Sequence, residues 1–232
     1  MKLIITKEGR TYLKEENNLS LNEGNIKKVK PGKNKTHSGK TIYAVNPGFS
    51  DLIKKIKRGP AIIVKKDIGL IITETGINKN SIVLDAGSGS GYLSAYLANI
   101  CKKVISYEKR KEFFKIASNN FKFLNLKNIE IKNKDIYQGI SEKNLDLITL
   151  DLMEPWKVLK YASKSLKLGG YLVCYLPTIN QLEQLIRNVK EPLMLIKTTE
   201  LIERKWITDS RLRPDSKIIG HTGFLVFIRK VC

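Results

Sequence analysis

Cysteine is scarce in these 232 residues: Cys101, Cys174 and Cys232 are the three, far apart and without metal-ligand spacing. Two of them sit in apolar surroundings and read as core thiols of a reducing compartment. Histidine is scarcer still. His37 has no second His, Cys or paired acid nearby and reads as a surface residue, so no metal site is expected. No apolar run approaches the roughly 20 residues of a membrane-spanning helix, and no basic amphipathic helix stands out. MKLIITKEGR lacks the long apolar segment of a secretory signal, so a cytoplasmic protein is expected. Acids are few beside bases, 22 Asp+Glu against 42 Lys+Arg, for a formal net charge of +20. Such an excess favours a polyanionic partner, because each neutralised phosphate releases counterions. Part of it also serves solubility or reflects a Lys/Ile/Asn-rich bias, and the lysines are too scattered to mark a site.

The chain is organised around Ser81–Gly91, SIVLDAGSGSG. Its β-branched run ends in the carboxylate of Asp85. Gly87, Gly89 and Gly91 then alternate with Ala86, Ser88 and Ser90, and helix-forming residues follow from Tyr92. This is strand, tight turn, helix. Glycines let backbone turn sharply and approach a ligand where a Cβ would intrude. The dinucleotide fingerprint G-x-G-x-x-G needs a third glycine at position 92, which is tyrosine. The spacing G-x-G-x-G behind a strand-terminal acid suits S-adenosylmethionine, a nucleoside carrying an amino acid and no pyrophosphate. The competing reading is an ordinary strand–helix turn without ligand.

Residues 1–58 have a different texture from the rest. Short apolar runs (LIIT, TIYAV) between turn clusters such as Asn17-Asn18 and Pro31-Gly32 predict a small N-terminal β domain. Lys27–Lys40 reads as a basic loop, phosphate-contacting or merely solvated. Residues 59–232 read as the second domain. There, Ala61–Val64 is expected as a buried strand, and Asp67 as an N-cap of the helix carrying Ile68, Ile71 and Ile72. From Ser81, strands are predicted at 82–85, 103–108, 129–132, 145–151, 170–176, 192–202 and 223–230. Helices are predicted at 92–99, 111–124, 156–166 and 179–189. The alternation specifies an α/β fold, a parallel sheet covered on both faces and finished by an antiparallel hairpin. Ligands in such sheets bind beyond the carboxyl ends of the strands.

Those ends carry acids. Asp85 and Glu108 close the first two strands, Asp135 follows the third, and Asp151 closes the fourth in LITLDLMEPW. Glu108 lies at the separation at which an acid reaches ribose hydroxyls, Asp135 is placed for an adenine amino group, and Asp151 for the reaction centre. A single such acid is usually a helix cap; four in register behind a glycine turn argue for a site. In Asp151–Trp156, Pro155 fixes a turn, and Trp156 either stacks on a base or packs inside the next helix.

Together these residues resemble the TrmI-type tRNA (adenine-N1)-methyltransferases, which act on adenosine 58 of the T-loop. The resemblance runs from Gly59 onward through GP.....KD (Gly59, Pro60, Lys66, Asp67), VLDAGSGSG, SYEKR, DLMEPW, GGYLVCYLPTINQ and the terminal HTGFL. It implies a Rossmann-like class I S-adenosylmethionine-dependent methyltransferase sheet with a small N-terminal β domain, a tRNA substrate, a homotetramer and no metal. The donor would be held by Asp85, Gly87–Gly91 (Ser88 and Ser90 included), Glu108, Lys109, Asp135 and Asp151, with Asp151 catalytic. Trp156, Arg204, Arg211, Arg213 and His221 are the candidates for tRNA contact, the arginines because a guanidinium pairs bidentately with phosphate. An exposed basic loop is the alternative for the arginines, and a backbone-bonded strand start for His221. Two departures stand out. The family usually has Glu where this chain has Asp85, and an aromatic near the target base where it has Val64. Whether adenosine 57 is modified as well stays open. So do three rivals: a methyltransferase for protein isoaspartate or a small molecule, a non-catalytic tRNA-binding subunit, and a general RNA-binding protein.

Overall fold

A computed structural model describes residues 1–15, 19–59, 61–208 and 211–232. The Asn17-Asn18 turn and Pro60 lie outside them. The backbone divides into two compact units, 1–56 and 57–232.

In the first unit, β1 (Lys2–Thr6), β2 (Thr11–Lys14), β5 (Gly32–Lys35) and β6 (Thr41–Val45) form an antiparallel sheet in the order β2-β1-β6-β5. A separate hairpin is made by β3 (Leu19–Leu21) and β4 (Gly24–Ile26). Alternate residues point inward, as the period of two requires, and Ile4, Ile26, Val29, Ile42 and Ala44 make the core. The stretch expected as a basic loop, 27–40, contains β5, because Gly32–Lys35 pairs with Thr41–Ala44 across the turn at Ser38-Gly39. A short helix α1 (Phe49–Leu52) follows.

In the second unit a seven-stranded sheet has the order β12-β15-β11-β10-β7-β8-β9. The strands are β7 (Ile82–Ala86), β8 (Lys103–Tyr107), β9 (Ile129–Lys132), β10 (Leu145–Leu150), β11 (Leu166–Leu176), β12 (Leu193–Thr199) and β15 (Phe224–Lys230). The helices are α2 (Lys65–Thr75), α3 (Tyr92–Ala98), α4 (Lys111–Phe123), α5 (Leu159–Ser165) and α6 (Ile179–Asn188), and β13 (Trp206–Ile207) pairs with β14 (Arg213–Pro214). Strands β7 to β11 are parallel neighbours, and β15 runs antiparallel between β11 and β12. The central strands are buried on both faces, with Val83, Leu84, Leu147, Ile148, Leu172 and Val226 all fully enclosed. Each such side chain contributes roughly 1.5–3 kcal/mol. Cys101 and Cys174 are buried in this unit, as expected of core thiols, and Cys232 is exposed.

Three local expectations fail for physical reasons. Ala61–Val64 is not a strand: Val64 is extended (φ −79°, ψ 161°) but serves as the N-cap of α2, and among the described residues the segment has no ladder partner. Asp67 does not cap α2. It lies inside the first turn, fully buried, and bonds Lys66 and Thr222 instead of free amides. Strand β11 starts at Leu166, four residues before the expected Gly170. The register with β10 shifts after Leu145, where a Cβ on Gly170 would lie 2.8 Å from the Leu145 carbonyl oxygen.

Candidate active site

Strand order reverses between β7 and β10, so their carboxyl ends flank a crevice. Asp85, the penultimate residue of β7, lies beneath it. One of its carboxylate oxygens accepts from Thr149 Oγ1 on β10 (2.7 Å), the other from Ser94 Oγ on α3. Burial pushes its pKa up, against the pull of those two hydroxyls. Asp85 therefore ties β7, β10 and α3 together under the turn. It borders only a small recess beside the main cavity, so the row of four acids is three at the rim and one below.

The three glycines of the turn have different duties. Gly87 (φ +80°) has no room for a side chain, since a Cβ would lie 2.0 Å from the Asp151 carbonyl oxygen. Gly91 (φ +79°) is pressed against Phe121 of α4, 2.5 Å from where its Cβ would be. Only at Gly89 is the space open, the nearest atom being the Gly87 carbonyl oxygen at 3.9 Å. Ser88 turns inward, its Oγ donating to the Tyr107 carbonyl (3.0 Å) and accepting from Ser106 (2.6 Å). Ser90 is buried, its hydroxyl without a partner among the described residues, and its carbonyl accepts from Asn120 Nδ2 (2.8 Å).

Above the turn is a cavity of about 420 Å³ whose walls include Gly89, Glu108, Arg110, Asp135, Tyr137 and Asp151. Glu108 follows β8. Its Oε2 accepts from the Gly89 amide (2.8 Å), and its Oε1 from the amide and Nε of Arg110 (2.9 and 3.2 Å). Asp135 caps the 3₁₀ turn Ile136–Gln138 through the Tyr137 amide (3.0 Å), so the helix-cap reading holds for one of its oxygens while the residue still lines the cavity. Lys109 lines it too, its ammonium 5.8 Å from the Tyr137 ring centre. Asp151 follows β10, its amide donating to the Ala86 carbonyl (3.0 Å). Burial raises its pKa to about 7; the Asp85 charge adds to the rise, and the Arg110 guanidinium opposes it.

The DLMEPW loop resolves the two readings of its last residues. Pro155 opens the 3₁₀ turn Pro155–Val158, and Trp156 packs against the sheet core. Trp156 lines a separate groove with Lys160 and Tyr161, outside the Asp151 cavity, because the turn rotates its ring away from the strand end. The aromatics that line the cavity are Tyr107, Phe113 and Tyr137, and the Tyr137 hydroxyl accepts from the Glu154 amide (3.1 Å). Gln181 of α6 holds the same loop through the Met153 carbonyl (2.9 Å). Tyr137 had no periodic or motif signal beyond its place two residues after Asp135. Arg110 and Gln181 stand within the quoted motifs SYEKR and YLPTINQ; Arg110 bonds its own motif's Glu108, whereas Gln181 reaches Met153, 28 residues away.

Arg204, Arg211 and Arg213 are exposed on the segment around β13 and β14, away from the cavity walls. His221 has both ring nitrogens engaged by its own chain, Nδ1 with Glu200 (2.7 Å) and Nε2 with the Pro177 carbonyl (3.0 Å). The Glu200 contact, with help from that carbonyl, raises its pKa. It therefore closes the 200–221 connection, as the backbone-bonded alternative has it. Among the described residues no cluster of three His, Cys, Asp or Glu side chains is arranged to hold a metal, and no helix is long and apolar enough to cross a membrane.

Sheet order, glycine turn and acid rim define a Rossmann-like class I S-adenosylmethionine-dependent methyltransferase fold. It is shared with a solved SAM-dependent O-methyltransferase of Thermotoga maritima (TM-score 0.88, 30% identity, 100% of this chain and 92% of that one). The model of the tRNA methyltransferase complex GCD14 subunit family matches residues 53–212, and the chain belongs to that family. It is 35% identical to the tRNA (adenine(57)-N(1)/adenine(58)-N(1))-methyltransferase TrmI of Methanocaldococcus jannaschii, over 98% of this chain and 94% of that one. It also resembles the solved tRNA (m1A58) methyltransferase TrmI of Aquifex aeolicus (TM-score 0.83, 30% identity, 100% and 96% covered).

Proposed function

We propose that this chain methylates N1 of adenosine 58 in the T-loop of tRNA, with S-adenosylmethionine as donor. The observation that carries this reading is the carboxylate of Asp151, set in a cavity directly over the glycine turn. The chain's own residues fit the donor. The open side of Gly89 would take a ligand's approach, and Glu108 and Asp135 offer acceptors for ribose hydroxyls and an amino group. When bound, the donor supplies a methyl group on a positively charged sulfur, open to in-line attack.

Adenine N1 carries a free lone pair at neutral pH, so the protein needs no general base. Its work is alignment and electrostatics. Asp151 accepts from the N6 amino group and, when ionised, stabilises the positive charge that spreads over the ring as N1 becomes quaternary. Arrival of that charge lowers the raised pKa of Asp151, so the carboxylate is ionised when it is needed. The T-loop base must leave its stack at a cost of about a few kcal/mol. Phosphate contacts from a chain of net charge +20 offset that cost, with Arg204, Arg211 and Arg213 as candidates.

The same reading makes residues 1–58 and 59–232 separate domains, places the enzyme in the cytoplasm, and assembles it as a homotetramer. In favour of assembly, the edge strand β12 and the segment after it expose Met194, Ile196, Ile202 and Trp206. Tritiated S-adenosylmethionine with unmodified tRNA, followed by mapping of the labelled nucleoside, tests the function. Label at N1 of adenosine 58 is expected, and the same map shows whether 57 is modified. Label on protein or small molecules alone, or none, would refute it.

A further inference from the structure

Residues 61–63, irregular in backbone, form a lip over the turn: Ala61 lines both the main cavity and the recess, and Ile62 and Ile63 line the recess. The lip is tied down on both sides by buried polar groups. On its N-terminal side Asn120 of α4 clamps Lys57, Oδ1 accepting from the amide (3.0 Å) and Nδ2 donating to the carbonyl (2.9 Å). The same Nδ2 also reaches the carbonyl of Ser90 in the turn (2.8 Å). On its C-terminal side, Lys66 Nζ donates to Asp67 Oδ1 (2.7 Å) and Thr222 Oγ1 (2.6 Å), and Thr222 Oγ1 donates to Asp67 Oδ2 (2.9 Å). Asp67 is fully buried and the Lys66 side chain only 9% exposed. This closed triangle joins the first turn of α2 to a residue 155 positions later.

Thr222 is itself fixed. Its carbonyl accepts from the Tyr175 hydroxyl, and Gly223 lies so flat on the Tyr175 ring that a Cβ would meet it at 2.5 Å. Tyr175 directly follows Cys174, the register partner of Leu150, as Asp151 directly follows Leu150, so the two residues lie side by side near the carboxyl ends of neighbouring parallel strands. The KD pair and the HTGFL end thus meet beside the carboxyl end of β11, next to the strand that leads into Asp151.

We propose that Asn120 and the Lys66–Asp67–Thr222 triangle are positioning residues that hold the 61–63 lip over the donor. This rests on the function proposed above. A lip anchored at both ends shields the bound donor from water, and freeing one end lets it swing away without altering any group that touches the reacting atoms. Breaking a buried charge-assisted hydrogen bond costs enough to change an affinity by about tenfold.

The test uses the full chain, with S-adenosylhomocysteine binding by calorimetry and tRNA methylation kinetics for wild type, Thr222→Val, Thr222→Ser and Asn120→Ala. Thr222→Val and Asn120→Ala should each raise Kd and the donor KM about tenfold. They should change kcat at saturating donor less than threefold, and Thr222→Ser should restore wild-type binding. A lowered Tm with unchanged Kd in both variants would mean the bonds are merely structural and overturn the inference. Wild type that binds no S-adenosylhomocysteine would instead refute the proposed function, and the inference with it.

Discussion

Replacing Asp151 with asparagine should stabilise the ligand-free protein, and increasingly so as pH rises. Burial lifts the carboxyl from its ordinary 3.8 to about 7, a shift of about three pH units, or on the order of 4 kcal/mol at 1.36 kcal/mol per unit. The folded pKa is the higher one. Between the two values the folded chain therefore keeps a proton the unfolded chain has released, and stability falls as pH rises. The loss begins near pH 4 and is complete above pH 7. Asparagine mimics the protonated acid and escapes it. Water entering the open side of the cavity screens part of the charge, so about half of the figure is a reasonable floor. For a chain of this size that is a gap of roughly 5–15 °C in Tm above pH 8, closing towards pH 4. Thermal unfolding of wild type and Asp151→Asn across pH 4.5–8.5 measures it directly. A gap independent of pH, or a variant less stable than wild type at pH 8.5, would refute the assignment of a desolvated carboxylate. The same variant should bind S-adenosylhomocysteine and lose tRNA methylation by orders of magnitude.

Other expectations follow from the same geometry. Gly87→Ala, driving a Cβ into the Asp151 carbonyl oxygen, should unfold the protein or lower its stability by more than about 3 kcal/mol, whereas Gly89→Ala should cost only about 1–2 kcal/mol of backbone strain; chemical denaturation of the two distinguishes them. Changing Arg204, Arg211 and Arg213 together to glutamine should raise the KM for tRNA and flatten its salt dependence, by a slope of up to about three, and leave the donor KM alone. Trp156→Ala should lower stability by a few kcal/mol through lost packing with little effect on the KM for tRNA; a large KM effect at unchanged stability would return Trp156 to the RNA.

The alternation from Ser81 onward was readable because apolar runs rich in β-branched residues, such as Ile82–Leu84 and Leu147–Leu150, sit at strand length between helical periods, as strands buried on both faces of a parallel sheet do. The rim acids were readable because strand ends are fixed by those same runs. Hydrogen-bond partners were not. Nothing local says that Asp85 will find Thr149, 64 residues on, and so be drawn beneath the turn instead of into the cavity. Asp67 fails as a cap for the same reason, since its partner Thr222 lies at the far end of the chain. Trp156 was ambiguous because Pro155 licenses both a loop and a helix start, and only the packing of the 3₁₀ turn decides which way the ring faces. Val64 ended a run that resembled a strand, but a strand needs a neighbour, and among the described residues 61–64 pair with none; Val64 instead starts α2 as its N-cap.

A crystal structure of the chain with S-adenosylhomocysteine and a T-loop RNA would test the central claim most directly. The expected density places the nucleoside against Gly89 with Glu108 on its ribose, and an extruded adenine with its amino group on Asp151. A ligand bound elsewhere, or Asp151 turned from a purine still stacked in the loop, would contradict it.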